Sequence, residues 1–298
     1  MLLLRSLTEQ KGGIMEIRKV GVVGCGLMGS GFAQACAQAG YEVVVSARTD
    51  EKLSKGLAVI ESRLGQSVEQ GKLSQEDKAS ILARIKGTTN PQDFAECDLV
   101  IENITEKLEM KKKVFAELDA ICAPHTILAT NTSVLPILEL AMVTKRPNKV
   151  IGIHMDALLM LSPLAEIPRT ILTSDETVQI AKEFSKSLGG IPVVAPATPG
   201  FLANRVIAPF LLDCIRLLEA GVATKEDIDT AFKTLAMPPQ GPLTIMDYIG
   251  LDTILNGCTA LYEEFKDPRY APPPLLKQMV TAGQLGVKTG KGFFEYKP

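Results

Sequence analysis

Two histidines occur in the 298 residues, and one of them, His154, closes the apolar run Val150-Ile151-Gly152-Ile153. Twelve residues on, Glu166 stands within the otherwise apolar stretch Pro163-Leu164-Ala165-Glu166-Ile167. A carboxylate among apolar side chains needs a partner, and a protonatable imidazole is a natural one. The pair suits proton removal from a secondary alcohol as hydride leaves the carbon. Imidazole titrates near neutrality, and a carboxylate behind it fixes the tautomer and stabilises the imidazolium. The arrangement resembles that of a serine hydrolase without a nucleophile. Ser133 is the rival candidate for that nucleophile, but it lacks a Gly-x-Ser-x-Gly elbow. A histidine in an apolar run is otherwise a core residue, so its place at a strand end is what argues for chemistry.

Hydride transfer needs a carrier, and the sequence offers a loop that can hold one. Residues 20–23 form a predicted strand, followed by Gly24-Cys25-Gly26-Leu27-Met28-Gly29 and a predicted small-residue helix to about residue 39. In this Gly-x-Gly-x-x-Gly pattern the first glycine permits the turn and the second lets the backbone approach a pyrophosphate. The third lets helix and strand pack closely. The helix start at Leu27 and Met28 offers free N–H groups to phosphates.

The end of the second strand selects the dinucleotide. An acid there would bind the ribose hydroxyls and repel a 2′-phosphate. The run instead ends Ser46-Ala47-Arg48-Thr49. Arg48, with Ser46 and Thr49, can hold a 2′-phosphate, which favours NADP(H) over NAD(H). The alternative is a solvated Arg48, with Asp50 on the ribose.

The elements that must position these groups are short apolar runs separated by helical patterns. Predicted strands cover 20–23, 43–45, 99–101, 127–129 and 150–153, with helical stretches at 50–69 and 75–84 among others. Parallel neighbours need crossovers, so the expected fold is α/β, a Rossmann-type doubly wound, mostly parallel sheet. Open sheets of this kind bind ligands at the carboxyl ends of their strands. Asn103 and Glu106, Asn131 and Ser133, and His154 all fall at such ends. After Val193-Val194 the breakers Pro196, Pro199 and Gly200 precede helical runs at 201–219 and 225–235, with Thr224 as an N-cap. Two domains are expected: 15–197, dinucleotide-binding, and 198–298, an all-α substrate and dimerisation domain.

Composition narrows the classes. Hydrophobic residues make up 46% and charged residues 22%, the balance of a soluble globular protein, and a net charge of −2 gives no electrostatic reason to bind nucleic acid or a membrane. Cys25, Cys36, Cys97, Cys122, Cys214 and Cys258 lack metal or redox spacing and read as buried reduced thiols; no metal is expected. Leu2-Leu3-Leu4 is too short for a signal core or a spanning helix, so a cytoplasmic location is expected, with Met15 a possible start and residues 1–14 set aside.

From Lys19 to Tyr296 the chain resembles the L-3-hydroxyacyl-CoA dehydrogenases, particularly their short-chain 3-hydroxybutyryl-CoA branch. The segments that carry the likeness are Val20-Gly21-Val22-Val23-Gly24-Cys25-Gly26-Leu27-Met28-Gly29, Asn131-Thr132-Ser133, Gly152-Ile153-His154 with Glu166, and Pro199-Gly200-Phe201-Leu202-Ala203-Asn204-Arg205. Gln240-Gly241-Pro242-Leu243, Asp247-Tyr248-Ile249-Gly250-Leu251-Asp252 and Leu285-Gly286-Val287-Lys288-Thr289-Gly290-Lys291-Gly292-Phe293 complete it. The resemblance implies His154 as catalytic base with Glu166 as its partner, and Ser133 and Asn204 as holders of the substrate's oxygens. It implies Glu106, Lys111, Ser133 and Lys288 as nicotinamide-side contacts, and Arg63 and Lys72 as contacts to the acyl-CoA nucleotide. A homodimer paired through the second domain is also implied. Taken alone, Asn204 reads as a helix N-terminal polar residue, and Lys111, Arg63 and Lys72 as solvated charges.

Three departures bear on activity. Met155-Asp156-Ala157-Leu158 replaces an aromatic-aromatic-Asn-Pro run, Ala47 replaces the acid after the second strand, and Lys107 replaces an asparagine. Two alternatives follow: a dehydrogenase of a non-thioester hydroxy acid, or a weakly active dinucleotide-binding structural or regulatory protein. The ending Lys288-Thr289-Gly290 resembles the acyl-CoA branch.

Overall fold

The computed structural model describes residues 15–155, 162–236 and 239–296. The chain divides into two compact units, Met1–Ala197 and Thr198–Pro298.

In the first unit the elements run β1 (Lys19–Val23), α1 (Leu27–Gln38), β2 (Glu42–Ser46), α2 (Asp50–Glu69), α3 (Gln75–Ala83) and β3 (Ile85–Thr88). They continue with β4 (Leu99–Glu102), α4 (Leu108–Ile121), β5 (Ile127–Thr130), α5 (Ile137–Met142) and β6 (Val150–Gly152). The six strands form one parallel sheet in the order β3-β2-β1-β4-β5-β6. The chain winds outward from β1 through β2 to β3, then crosses to build β4, β5 and β6 on the other side. The strand order therefore reverses between β1 and β4, where such sheets open a crevice. The Rossmann-type reading of the sequence holds.

Strands β1, β2, β4, β5 and β6 are buried on both faces over most of their length, which is why they read as unbroken apolar runs rather than alternating ones. Helix α1 buries Gly29, Ser30, Gly31, Ala33, Ala35 and Ala37, small residues that bring its axis close to the sheet. Helix α2 starts on Thr49, whose side chain accepts from Lys52 N, with Asp50 and Glu51 in the first turn. Helix α3 opens on a capping box between Ser74 and Asp77. Strand β3 lies outside the sequence reading: Ile-Lys-Gly-Thr is short, only partly buried and lies at the sheet edge.

A second, three-stranded sheet follows: β7 (His154–Met155), β8 (Leu164–Arg169) and β9 (Ile191–Pro196), with α6 (Asp175–Ser187) between β8 and β9. Strand β8 pairs in parallel with β9 and antiparallel with β7. The sequence reading ended one strand at His154; the structure ends β6 at Gly152 and begins β7 at His154. Packing explains the break. A Cβ at residue 152 would lie 2.8 Å from Ile137 Cδ1 and from the Pro168 ring, so only glycine lets β6 pass under β8 before the chain changes sheets.

The second unit is helical: α7 (Ala203–Glu219), α8 (Lys225–Ala236), α9 (Pro242–Ile249), α10 (Leu251–Phe265) and α11 (Pro274–Thr281). Helix α7 starts two residues later than the sequence pattern suggested, because Phe201 takes a positive φ of 43°. Leu212, Ile215, Leu243, Met246, Leu251, Leu261 and Leu276 form its core. Two buried carboxylates organise it. Asp229 accepts from Leu243 N and Thr244 N, capping the start of α9 from another helix. Asp247 accepts from Phe293 N, Phe294 N and the Tyr296 hydroxyl, and so fastens the chain end. Among the described residues no helix is long and apolar enough to cross a membrane, and no cluster of metal-ligating side chains occurs. All six cysteines are buried and free.

Candidate active site

The glycine loop leaves β1 at Val23 and enters α1 at Leu27. Gly24 has φ +100°, a conformation side chains rarely adopt, and its N–H donates to Ser46 O of the neighbouring strand. A Cβ at Gly29 would fall 1.7 Å from Gly24 O, so the helix can approach the turn only with glycine there. At Gly26 an added Cβ would meet nothing within 4 Å. The second glycine is thus not required by protein packing; it borders open space at the start of a helix with no side-chain cap and no acid in its first turn. Leu27, 75% exposed, and Met28, 39% exposed, open the same helix. Uncapped N–H groups, a positive helix end and room for an incoming phosphate fit a dinucleotide pyrophosphate.

The polar residues converge beyond the ends of β4, β5 and β6. His154 and Glu166 face each other across the antiparallel β7–β8 pair, so their side chains share one face of the sheet. His154 Nδ1 lies 2.9 Å from Glu166 Oε2, and His154 Nε2 lies 3.0 Å from Ser133 Oγ. An ionised carboxylate only accepts, so Nδ1–H donates to Glu166; Nε2 is then left with its lone pair and accepts from the serine hydroxyl. Glu166 is fully buried, whereas the imidazole keeps 27% of its surface exposed. The strand neighbour Met155 N donates to Asn131 Oδ1 at 3.4 Å, and Asn131 Nδ2 donates to Asn103 Oδ1 at 3.1 Å, tying the loops after β4 and β5 together.

A second set of contacts was not legible in the sequence. Glu102, the last residue of β4, accepts two bonds from Lys111 Nζ at 2.7 and 2.8 Å, one from Ile104 N and one from Thr130 Oγ1 at 2.8 Å. Lys111 Nζ also lies 3.2 Å from Glu106 Oε2. Glu106, 40% exposed at its side chain, accepts from the Thr132 hydroxyl and from Ser133 N at 3.2 Å. Lys111 is only 1% exposed, so its reading as a solvated charge is wrong: α4 turns residue 111 inward. The remaining signal was the spacing of Glu102 and Lys111 about a strand–loop–helix junction, which is not distinctive by itself.

The other sequence candidates are placed as follows. Ser46 ends β2 and pairs in register with Val23; Arg48 is exposed and makes no salt bridge among the described residues. Ala47 puts no carboxylate after β2, and Asp50 lies 3.4 Å from Thr89 Oγ1. Arg63 on α2 donates through Nη1 to Ser30 Oγ on α1 at 3.1 Å, and Lys72 is exposed. In the second unit, Asn204 lies in the first turn of α7, and Lys288 pairs with Asp252. Of the changed run after the histidine, Asp156, Ala157 and Leu158 lie outside the described residues, as does the segment 1–14.

Known proteins match this architecture throughout. The family model described as "3-hydroxyacyl-CoA dehydrogenase, NAD binding domain" matches residues 19–198, and that described as "3-hydroxyacyl-CoA dehydrogenase, C-terminal domain" matches residues 200–296. The 3-hydroxybutyryl-CoA dehydrogenase of Clostridioides difficile is 43% identical over 278 residues, covering 93% of this chain and 99% of that protein. Its counterpart in Bradyrhizobium diazoefficiens is 42% identical, covering 94% and 96%. The crystal structure of (S)-3-hydroxybutyryl-CoA dehydrogenase from Ralstonia eutropha superposes with a TM-score of 0.91 at 42% identity, covering 95% of this chain and 100% of that one. With family models matching residues 19–198 and 200–296 and relatives of this identity over nearly the whole length, the chain belongs to the 3-hydroxyacyl-CoA dehydrogenase family.

Proposed function

We propose that the chain interconverts short-chain (S)-3-hydroxyacyl-CoA and 3-oxoacyl-CoA thioesters, with His154 as the base and Glu166 as its partner. The observation that carries this reading is an imidazole held at both nitrogens, by a buried carboxylate and by a serine hydroxyl, in the unit that contains the glycine loop. In oxidation, Nε2 takes the proton of the substrate's 3-hydroxyl while the ionised Glu166 holds the resulting imidazolium through Nδ1–H. The Ser133 hydroxyl stands 3.0 Å from Nε2 and orients the substrate oxygen toward that nitrogen. Asn204 is assigned a second contact to the substrate's oxygens. In reduction, the imidazolium returns its proton to the 3-oxygen. The backbone from Gly24 to Gly29 would hold the nicotinamide dinucleotide, which when bound would supply the hydride acceptor or donor. Glu106, Ser133 and Lys288 are assigned to its nicotinamide side, with Lys111 acting there through the Glu106 carboxylate that it holds.

The assay that tests this is reduction of acetoacetyl-CoA by NADPH or NADH, followed at the nicotinamide absorbance. His154→Gln is expected to lower kcat by several orders of magnitude while leaving dinucleotide binding intact; turnover at the wild-type rate in that variant overturns the assignment.

NADP(H) is the cofactor this reading favours. Arg48 is exposed and free of salt bridges among the described residues, beside Ser46 and Thr49 and with no acid at position 47 to repel a 2′-phosphate. A wild-type kcat/KM much larger with NADH than with NADPH defeats the preference. Arg63 is assigned to the CoA phosphates; Arg63→Ala should raise the apparent KM for the thioester, and an unchanged KM removes it from the site. The helical unit exposes Val206 (68%) and Ile207 on α7, apolar surface that supports pairing with a second copy, to be checked by sedimentation.

A further inference from the structure

The buried charges at the end of β4 have no part in the proton transfer described above, yet they reach both loops that carry it. Glu102, Thr130, Thr132 and Lys111 are all essentially inaccessible to solvent. Lys111 has three N–H bonds, and its Nζ has Glu102 Oε1 and Oε2, Ile104 O and Glu106 Oε2 within 3.4 Å. Its donors are therefore consumed by the protein itself. On one side, the Glu102 carboxylate fixes the loop after β4 through Ile104 N and through Lys111, which in turn holds Glu106. On the other, it accepts from Thr130 Oγ1, and that same oxygen accepts from Thr132 N at 3.2 Å. The Thr132 hydroxyl closes the circuit on Glu106, and Glu106 accepts from Ser133 N. Ser133 is the residue whose hydroxyl meets His154 Nε2.

We propose that Glu102 is a positioning residue: by holding Lys111 on one loop and Thr130 on the other, it fixes Glu106 and Ser133, and hence the hydroxyl presented to His154. The proposal deepens the reading of His154 as base and rests on it. A buried pair is a poor means of gaining stability, because desolvation offsets most of its attraction, and apolar replacements of both partners are often tolerated. A fully buried pair wired into both catalytic loops is better explained by what it holds in place. The local charges are two carboxylates against one ammonium, so removing Glu102 alone leaves Lys111 to Glu106 and draws that carboxylate away from Thr132 and Ser133.

The chain has two histidines, which makes a direct test possible in the protein without cofactor. In ¹⁵N-histidine-labelled protein, His125→Asn assigns the signals, and Ser133→Ala gives the Nε2 position of His154 when its serine partner is lost. Two variants perturb the circuit without replacing Ser133, the loop residue whose hydroxyl meets the ring. Thr130→Val changes no charge and little shape. The double variant Glu102→Gln with Lys111→Met removes both fully buried charges together and leaves only the partly exposed Glu106 carboxylate without its ammonium. In each, the Nε2 signal of His154 is expected to move toward its Ser133→Ala position. In each, kcat for acetoacetyl-CoA reduction should fall at least tenfold with KM changed by less than about threefold. A purely structural role predicts a lower melting temperature with an unmoved Nε2 signal and kcat within twofold of wild type per folded molecule. That outcome in Thr130→Val overturns the proposal whether or not the double variant folds. If His154→Gln instead proves fully active, the base assignment fails, and the Nε2 signal still reports on the circuit independently.

Discussion

Replacing Glu166 by glutamine isolates the charge of the His154 partner from its shape. The carboxylate lies 2.9 Å from Nδ1 and is itself fully buried, although the ring keeps some exposure, so water does not readily take its place. A bare Coulomb term at that separation, with an effective dielectric of about 20, is about 6 kcal/mol, which serves as an upper bound. Hydrogen bonds to charged groups contribute about 1.5–3 kcal/mol net, and the glutamine oxygen can still accept from Nδ1–H. The loss lies between the lower end of that contribution and the Coulomb bound, about 2–3 kcal/mol, felt only when the ring is an imidazolium, which corresponds to a fall in kcat of about 30- to 160-fold. KM should change by less than about threefold, because the thioester gains no contact from position 166. The backbone pairing of β7 with β8 does not depend on this side chain, so the variant should keep the wild-type circular dichroism spectrum. Steady-state oxidation of (S)-3-hydroxybutyryl-CoA, the direction in which the imidazolium forms, measures both constants. A Glu166→Gln enzyme within threefold of the wild-type kcat would show that no imidazolium forms in the rate-limiting step, and the proposed proton transfer would be wrong.

Gly26→Ala and Gly29→Ala should separate binding from folding: the former keeps the wild-type melting temperature but loses at least tenfold in dinucleotide affinity by fluorescence titration, whereas the latter, with its Cβ 1.7 Å from Gly24 O, melts several degrees lower. Burial pushes the Cys25, Cys122, Cys214 and Cys258 thiols up to about 11 and Cys97 to about 12, so at pH 8 these thiols are protonated; native protein should react slowly with a thiol reagent and unfolded protein with all six equivalents. Asp229→Ala leaves the N–H groups of Leu243 and Thr244 without their acceptor and should cost about 2–3 kcal/mol, read as a lower urea midpoint for the helical unit; an unchanged midpoint removes Asp229 from the determinants of α9.

The parallel sheet was legible because strands buried on both faces announce themselves as apolar runs, and because glycines at fixed offsets mark where the first strand hands over to a helix. His154 and Glu166 stood out for a related reason, as polar residues in apolar surroundings. What brings them together did not: a two-residue strand such as His154–Met155 has too few positions to show a period, and its register against Leu164–Arg169 depends on a non-local pairing. Strand Ile85–Thr88 escaped notice because an edge strand with half-exposed residues carries little apolar signal. Lys111 was concealed by its neighbours. In Lys111-Lys112-Lys113 the three side chains look alike along the chain, but helical rotation sends only the first toward Glu102, whose claim on it arises from a strand end nine residues earlier. Thr130 adds a partner 28 positions away, which no local pattern reports.

The change of sheets at Gly152 makes the imidazole sensitive to distant packing. His154 lies two residue steps beyond that pivot, a lever arm of about 6.6 Å for extended chain. Tilting the smaller sheet by 5° against the larger one would carry the ring about 0.6 Å, comparable to the tolerance of about 0.5 Å for a working constellation. Ile137 and the Pro168 ring, wedged against the pivot, thus act as set-screws for the imidazole two residue steps away. Relatives that repack this wedge can retune turnover without altering a single residue of the reacting set.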